Sequence, residues 1–137
     1  MKPGLQNSIV PISIIAPTYN EELTITESVR SLLKLNYSKF EVIVVCDGPK
    51  DKTLEILMDT FALVPTLDIP RIKLNHKPIK KNYISSIDKR LKVVLKENGG
   101  KADALNCGIN ISSYPLFCAI DADSILDSEA LHKLAQP

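Results

Sequence analysis

The sequence predicts an α/β domain with a mostly parallel central sheet and helices on both faces. Three observations carry this. Apolar, β-branched runs of strand length recur along the 137 residues. Between them lie segments whose apolar residues fall on one side of a helix. Strand, helix, strand, helix in succession calls for right-handed crossovers and parallel neighbours. The chain is long enough for one domain with a real core and too short for two.

Ser8 to Ala16 (with Ile9, Val10, Ile12, Ile14 and Ile15) reads as the first buried strand, with Pro11 near its start and a turn at Pro17-Thr18-Tyr19-Asn20. Glu21 to Leu35 spaces Ile25, Val29, Leu32 and Leu33 as a one-sided helix. Thr24 and Glu27 can close a capping box there, or the helix begins a turn earlier with acidic residues at its positive end. Phe40 to Cys46 is the second buried strand, stopped by Asp47-Gly48-Pro49. Asp51 suits the N-cap of a helix presenting Leu54, Leu57, Met58 and Phe61.

Residues 63–90 contain Pro65, Pro70 and Pro78 and no convincing period, and read as a solvated excursion. Their charge is mostly basic (Arg71, Lys73, Lys77, Lys80, Lys81, Lys89, Arg90), which suits an anionic ligand or a membrane surface, and an edge strand fits around Arg71 to Leu74. Lys92 to Lys96 is the third clear strand, followed by the flexible turn Glu97-Asn98-Gly99-Gly100. Lys101 to Ile111 is helical with Ala102, Leu105 and Ile109 inward. Leu116 to Ile120 is the fourth strand, buried on both faces, and Asp127 caps a last helix through Ala135.

A net charge of +1 provides no global field for nucleic acid or membrane. Tryptophan is absent, which argues against a carbohydrate-stacking module. The odd set Cys46, Cys107 and Cys118 lies in or beside apolar segments, as reduced thiols of a cytoplasmic protein do. No stretch approaches the roughly 20 apolar residues of a membrane span, and Met1 to Asn7 carries no apolar signal core, so membrane contact is expected only through segments outside this chain.

Polar residues collect at three strand ends: Thr18-Tyr19-Asn20-Glu21, Asp47-Gly48 and Asp121-Ala122-Asp123. In an open parallel sheet, ligands bind outside the carboxyl ends of the strands. If the last strand stays extended, Asp121 and Asp123 point to the same side. Two carboxylates together repel, and a hard cation, Mg²⁺ or Mn²⁺, relieves that cost while leaving coordination sites for water and phosphate.

Four segments resemble the family 2 glycosyltransferases: Ser13-Ile14-Ile15-Ala16-Pro17-Thr18-Tyr19-Asn20-Glu21-Glu22, Val44-Val45-Cys46-Asp47-Gly48-Pro49-Lys50-Asp51-Lys52-Thr53, Asn98-Gly99-Gly100-Lys101-Ala102-Asp103-Ala104-Leu105-Asn106-Cys107-Gly108 and Asp121-Ala122-Asp123. They occur in the family's order and look most like the membrane-embedded branch that makes chitin, hyaluronan and poly-N-acetylglucosamine. The resemblance implies the Rossmann-like nucleotide-binding half of a GT-A fold. It implies a nucleotide-sugar donor, usually a UDP-sugar, an inverting transfer to a saccharide or lipid-linked acceptor, and no nucleic-acid partner. It also implies roles. Asp47 accepts the uracil N3–H, and Tyr19 and Pro17 wall the base. Glu21 makes a polar nucleoside contact. Lys101 meets the diphosphate near a helix start. Asp121 holds the ribose or a metal-bound water, and Asp123 ligates the metal.

The chain departs from the family where Cys46 replaces the first of two acidic residues ending the second strand. Neither the general base of inverting transfer nor the Gln-x-x-Arg-Trp motif of the synthase branch occurs within the chain. The whole of 1–137 is therefore expected to be the donor-binding part of a longer enzyme, inactive alone, with the base beyond Pro137 and the full-length protein at the cytoplasmic face of a membrane. A sugar nucleotidyltransferase would need a glycine-rich phosphate loop after the first strand, and Pro17-Thr18-Tyr19-Asn20-Glu21 has no glycine. A non-catalytic receiver-like module would need its acidic residues earlier and its lysine at a late strand end.

Overall fold

The computed structural model describes residues 10–67, 69–70 and 72–122. Their order is β1 (Ile12–Thr18), α1 (Ile25–Leu33), β2 (Phe40–Asp47), α2 (Thr53–Phe61), β3 (Leu63–Pro65), β4 (Ile79–Ser85), β5 (Leu91–Lys96), α3 (Lys101–Ile111) and β6 (Leu116–Ala119). The strands form one six-stranded sheet in the order β3-β4-β5-β2-β1-β6. The pairs β1–β2, β1–β6 and β2–β5 are parallel, and β3–β4 and β4–β5 are antiparallel. The expected architecture is present, with a short antiparallel extension at one edge.

Alternation along the central strands divides the core in two. Ile14, Ala16, Val42, Val44 and Cys46 pack with Ile25, Val29 and Leu32 of α1 and Leu57 and Phe61 of α2 on one face. Ile15, Ile43, Val45 and Val94 pack with Ala104, Cys107 and Ile111 of α3 on the other. Strands covered on both faces take apolar residues at consecutive positions, which is why residues 42–46 read as an unbroken run. Cys46 and Cys107 are buried free thiols. For Cys46, burial followed by the nearby Asp51 and Glu21 charges pushes the thiol up to about 12. Burial pushes Cys107 to about 12 as well, so neither offers a thiolate near neutral pH.

Five local expectations need correction. The expected capping box does not form, because Thr24 makes no side-chain cap hydrogen bond; the helix is entered through a backbone turn from Glu21, whose carbonyl accepts from Thr24 N and Ile25 N. The inward face of α3 is Ala104, Cys107, Gly108 and Ile111, while Ala102 is exposed and Leu105 and Ile109 are half-buried. Gly108 causes the difference. A Cβ there would lie 2.4 Å from Ile15 Cγ2, so the helix is pressed onto β1 along its smallest residues. Among the described residues, β6 pairs with β1 alone, at one end of the sheet, and it is not buried on both faces: Leu116 and Phe117 are 47% and 44% exposed. The strand also ends at Ala119, two residues before Asp121, so it does not carry an extended backbone through the acidic motif.

The fifth correction concerns residues 63–90. They supply β3 and β4, and the described residues from Ile72 to Leu74 form no strand. The segment after them is fastened to α3. Asn110 donates to Leu74 O at 2.8 Å and accepts from Leu74 N at 2.8 Å. Asn106 Nδ2 donates to Asn75 O, and Asp103 accepts from Lys77 N. The helix expected from Asp127 to Ala135 lies outside the described residues, as do the N-terminal residues of the expected first strand.

Candidate functional site

The carboxyl ends of β1 and β2 and the residues following β6 open on one side of the sheet. β1 leads through α1 to β2 on one side, whereas β5 leads back through α3 to β6 on the other side of β1, so the crevice lies at the switch point of the strand order. A cavity of about 120 Å³ sits there, lined by Pro17, Thr18, Tyr19, Glu21, Asp47, Lys101, Ala104, Asp121 and Ala122. Ligand clefts of roughly 300–1,000 Å³ enclose a whole drug-sized molecule, so this one seats one end of a ligand. All six residues expected to bind a donor (Pro17, Tyr19, Glu21, Asp47, Lys101 and Asp121) line it. Asp123 lies outside the described residues.

Backbone ties between loops hold the cavity. Thr53 Oγ1 accepts from Glu21 N at 2.9 Å and donates to Asp51 Oδ1. The same carboxylate accepts from Glu22 N and Thr53 N, and Asn20 Oδ1 accepts from Lys50 N. The loop after β1 is thereby fixed to the start of α2, and Asp51 serves structure rather than the cavity. Burial works against the Asp51 charge, but the hydrogen bonds from Thr53 and Glu22 outweigh it and hold its carboxyl below the usual range. On the other side, Ala122 is buried in the core and its carbonyl accepts from Ser28 Oγ of α1 at 3.0 Å, which positions Asp121 beside it.

Asp47 is held in the cavity by donors from the turn and strand beside it. Its Oδ1 accepts from Lys96 Nζ at 2.6 Å and Gly99 N at 2.9 Å, and its Oδ2 from Gly100 N at 2.9 Å and, at 3.5 Å, Asn98 Nδ2. Gly100 takes φ of +97° to aim its N–H at this carboxylate while opening α3. Lys96 has no exposed surface and also pairs with Asp103 Oδ2 at 2.6 Å. Burial disfavours its ammonium, but hydrogen bonds to Asp103 and Asp47 and their charges reverse that and raise Lys96 above its ordinary value. Lys101, the first residue of α3, pairs with Asp121 Oδ1 at 2.8 Å on the cavity's wet side.

Four residues at or behind the cavity had no site role assigned from the sequence. Thr18 is buried, lines the cavity, and its Oγ1 has no hydrogen-bond partner among the described residues. Ala104 and Ala122 complete the wall. Lys96 was read only as the end of a strand. The available signal was its position: Asp47 and Lys96 each end a strand, and the parallel register sets them side by side.

Among the described residues, no three His, Cys, Asp or Glu side chains converge as a metal cage. Magnesium-type sites need none, because one or two carboxylates suffice when water and substrate phosphate supply the rest. Asp121, a hard oxygen donor at the cavity and partly exposed, fits that donor set.

An open, mostly parallel sheet with a polar cavity at its switch point defines a ligand-binding α/β domain, and its solved structural neighbours are glycosyltransferases of the GT-A fold. The chain matches the glycosyl transferase family 2 profile over residues 13–89 and 75–137, and it belongs to that family. It is 34% identical over 130 residues to a poly-β-1,6-N-acetyl-D-glucosamine synthase of Staphylococcus aureus (strain COL), covering 94% of this chain and 26% of that protein. It resembles S. aureus TarS 1–349 in complex with UDP-GlcNAc, with a TM-score of 0.55 and 28% identity over 88% of this chain and 30% of that one. It also resembles the mannosyltransferase PcManGT from Pyrobaculum calidifontis in complex with GDP-Man and Mn²⁺, with a TM-score of 0.57 and 25% identity over 82% of this chain and 27% of that one. The chain spans about a quarter of the length of the curated relatives it matches.

Proposed function

We propose that this chain is the donor-binding part of an inverting, divalent-metal-dependent glycosyltransferase. It takes a UDP-sugar whose hexosyl or N-acetylhexosaminyl group passes to a saccharide or lipid-linked acceptor. The observation that carries this reading is the convergence of Pro17, Tyr19, Glu21, Asp47, Lys101 and Asp121 on one cavity. Tyr19, 40% exposed, offers its ring to the base, and Pro17 lines the same cavity. A carboxylate offers about four acceptor sites. Lys96, Gly99 and Gly100 use three at 2.6 to 2.9 Å, while Asn98 reaches Oδ2 only at 3.5 Å, so Asp47 retains capacity for the uracil N3–H. Thr18 Oγ1 gains a partner in the nucleoside, and Glu21 makes a further polar contact to it.

Lys101 turns from Asp121 to the diphosphate as the ligand enters. Asp121 and Asp123 hold Mg²⁺ or Mn²⁺. That ion, when bound, neutralises charge developing on the departing nucleoside diphosphate. The role assigned to this chain is donor and metal binding, and none of its described residues is assigned as the general base.

Calorimetric titration of UDP with and without Mn²⁺ tests the reading. The expected result is UDP binding that strengthens at least about tenfold with Mn²⁺, an effect lost in Asp123→Ala. Absence of UDP binding sinks the donor assignment. Binding indifferent to both Mn²⁺ and Asp123→Ala removes the metal from it.

A further inference from the structure

We infer that Lys96 is a positioning residue for nucleobase choice: its buried ammonium, fixed between Asp47 and Asp103, clamps the Asp47 carboxylate in the orientation that meets a base N–H and so favours uracil over cytosine. The inference rests on the nucleotide-binding reading above and adds to it a residue that does not line the cavity. Three contacts fix the ammonium: Asp47 Oδ1 at 2.6 Å, Asp103 Oδ2 at 2.6 Å and Glu97 O at 2.6 Å. An ammonium carries three N–H donors, so all are used and the head cannot turn. A lysine with no exposed surface costs several kcal/mol unless it is paired and hydrogen-bonded, and the two carboxylates meet that requirement together.

Asp103 is held in turn by both of its oxygens accepting Lys77 N at 3.0 Å. The network therefore runs from the segment strapped across α3, through Asp103 and Lys96, to Asp47 at the cavity. The chemistry at its end is binary. Uracil N3 carries a proton and cytosine N3 a lone pair. A carboxylate oxygen accepts, so a clamped Asp47 meets uracil N3–H and finds no partner at cytosine N3.

Without the ammonium, Asp47 Oδ1 loses one of its two donors and the carboxylate is no longer clamped in the orientation that faces the cavity. The other charged groups around this pair are Lys101, Asp121 and Glu21 at the cavity and His76 and Lys77 beside Asp103. None of them is altered by substitution at position 96.

The test measures Kd for UDP and CDP by calorimetry on the full chain with Mn²⁺, for the unmodified protein, Lys96→Met and Lys96→Gln, each checked for folding by circular dichroism. The unmodified chain is expected to prefer UDP at least about tenfold. Lys96→Met should cut that ratio below about threefold, by weakening UDP while leaving CDP, which makes no N3–H contact, little changed. Lys96→Gln keeps donors without charge and should move the same way. A folded variant whose UDP-to-CDP ratio stays within about twofold of the unmodified chain overturns the inference, because a merely structural lysine changes both affinities together. An unmodified chain that binds neither nucleotide overturns the donor reading itself, a distinguishable outcome. Should neither variant fold, the protected ammonium ¹⁵N signal of Lys96 in the unmodified chain decides: it must move on saturation with UDP, and an unmoved signal overturns the inference.

Discussion

Replacing Lys101 by alanine separates ligand binding from folding. Its Nζ meets Asp121 Oδ1 at 2.8 Å, but the two side chains are 63% and 43% exposed. A pair this wet contributes roughly 0–1 kcal/mol to stability. Lys101 is also the first residue of α3, where alanine is a good helix former, so the helix should survive. For a domain of this size Lys101→Ala should shift Tm by no more than about 5 °C. Binding weighs differently. A charge-assisted hydrogen bond to a phosphate oxygen contributes about 1.5–3 kcal/mol, a factor of roughly 10 to 150 in Kd. Uridine supplies the base and ribose without the diphosphate. Calorimetry should therefore show UDP weakened at least about tenfold and uridine changed by less than about twofold. Equal losses for UDP and uridine, or a stability loss above about 2 kcal/mol, would mean that Lys101 builds the cavity and does not grip the phosphates.

Gly108→Ala should destabilise the fold by about 1–3 kcal/mol in urea denaturation, the cost of forcing a methyl group against Ile15, even though alanine favours helix by about 1 kcal/mol. An unchanged or raised midpoint would show that α3 slides outward freely. The pH profile of stability should be flat between about pH 5 and 10 as far as these groups set it. Asp51, Asp88 and Asp103 are held below the ordinary 3.8, so their contribution is complete above that value and is lost as pH falls through their folded values. For Asp103, burial opposes the charge and the Lys96 hydrogen bond leads the groups that outweigh it; for Asp88, the Arg90 hydrogen bond leads. Lys96 is raised above 10.5, so its contribution is complete below that value and disappears as pH climbs past its folded value. Urea midpoints that fall already between pH 5 and 7 would contradict this set of couplings.

What could be read from the sequence was whatever a single segment expresses in its own period. β1, β2 and β5 are apolar at consecutive positions because both of their faces are covered, and α1 and α2 announce their buried stripe through Val29, Leu32, Leu57 and Phe61. The missed features depend on neighbours far along the chain. β4 runs Ile-Lys-Lys-Asn-Tyr-Ile-Ser and buries only Tyr83 and Ser85, so it resembles a loop until β5 pairs with it. β6 has the composition of a central strand, but its place at one end of the sheet is set by topology, and no local pattern records that. The inward face of α3 was misread because glycine and cysteine, not leucine, press against the sheet.

The candidate site divides along the same line. Tyr19, Asp47, Lys101 and Asp121 were legible because strand ends followed by polar turns lie on one side of any parallel sheet. Lys96 was illegible for an energetic reason. A lysine closing an apolar run ordinarily reaches for water, and only two carboxylates brought from 49 residues upstream and from the next helix make full burial tolerable. The glycines after β5 belong to the same arrangement. Gly99 and Gly100 donate their N–H groups to Asp47, so the turn that opens α3 is built on the carboxylate proposed to read the base. Asp47→Asn should therefore impair the turn and the base contact together, whereas Lys101→Ala reports on the phosphates alone, and the two variants divide the cavity into a rigid base end and a yielding phosphate end.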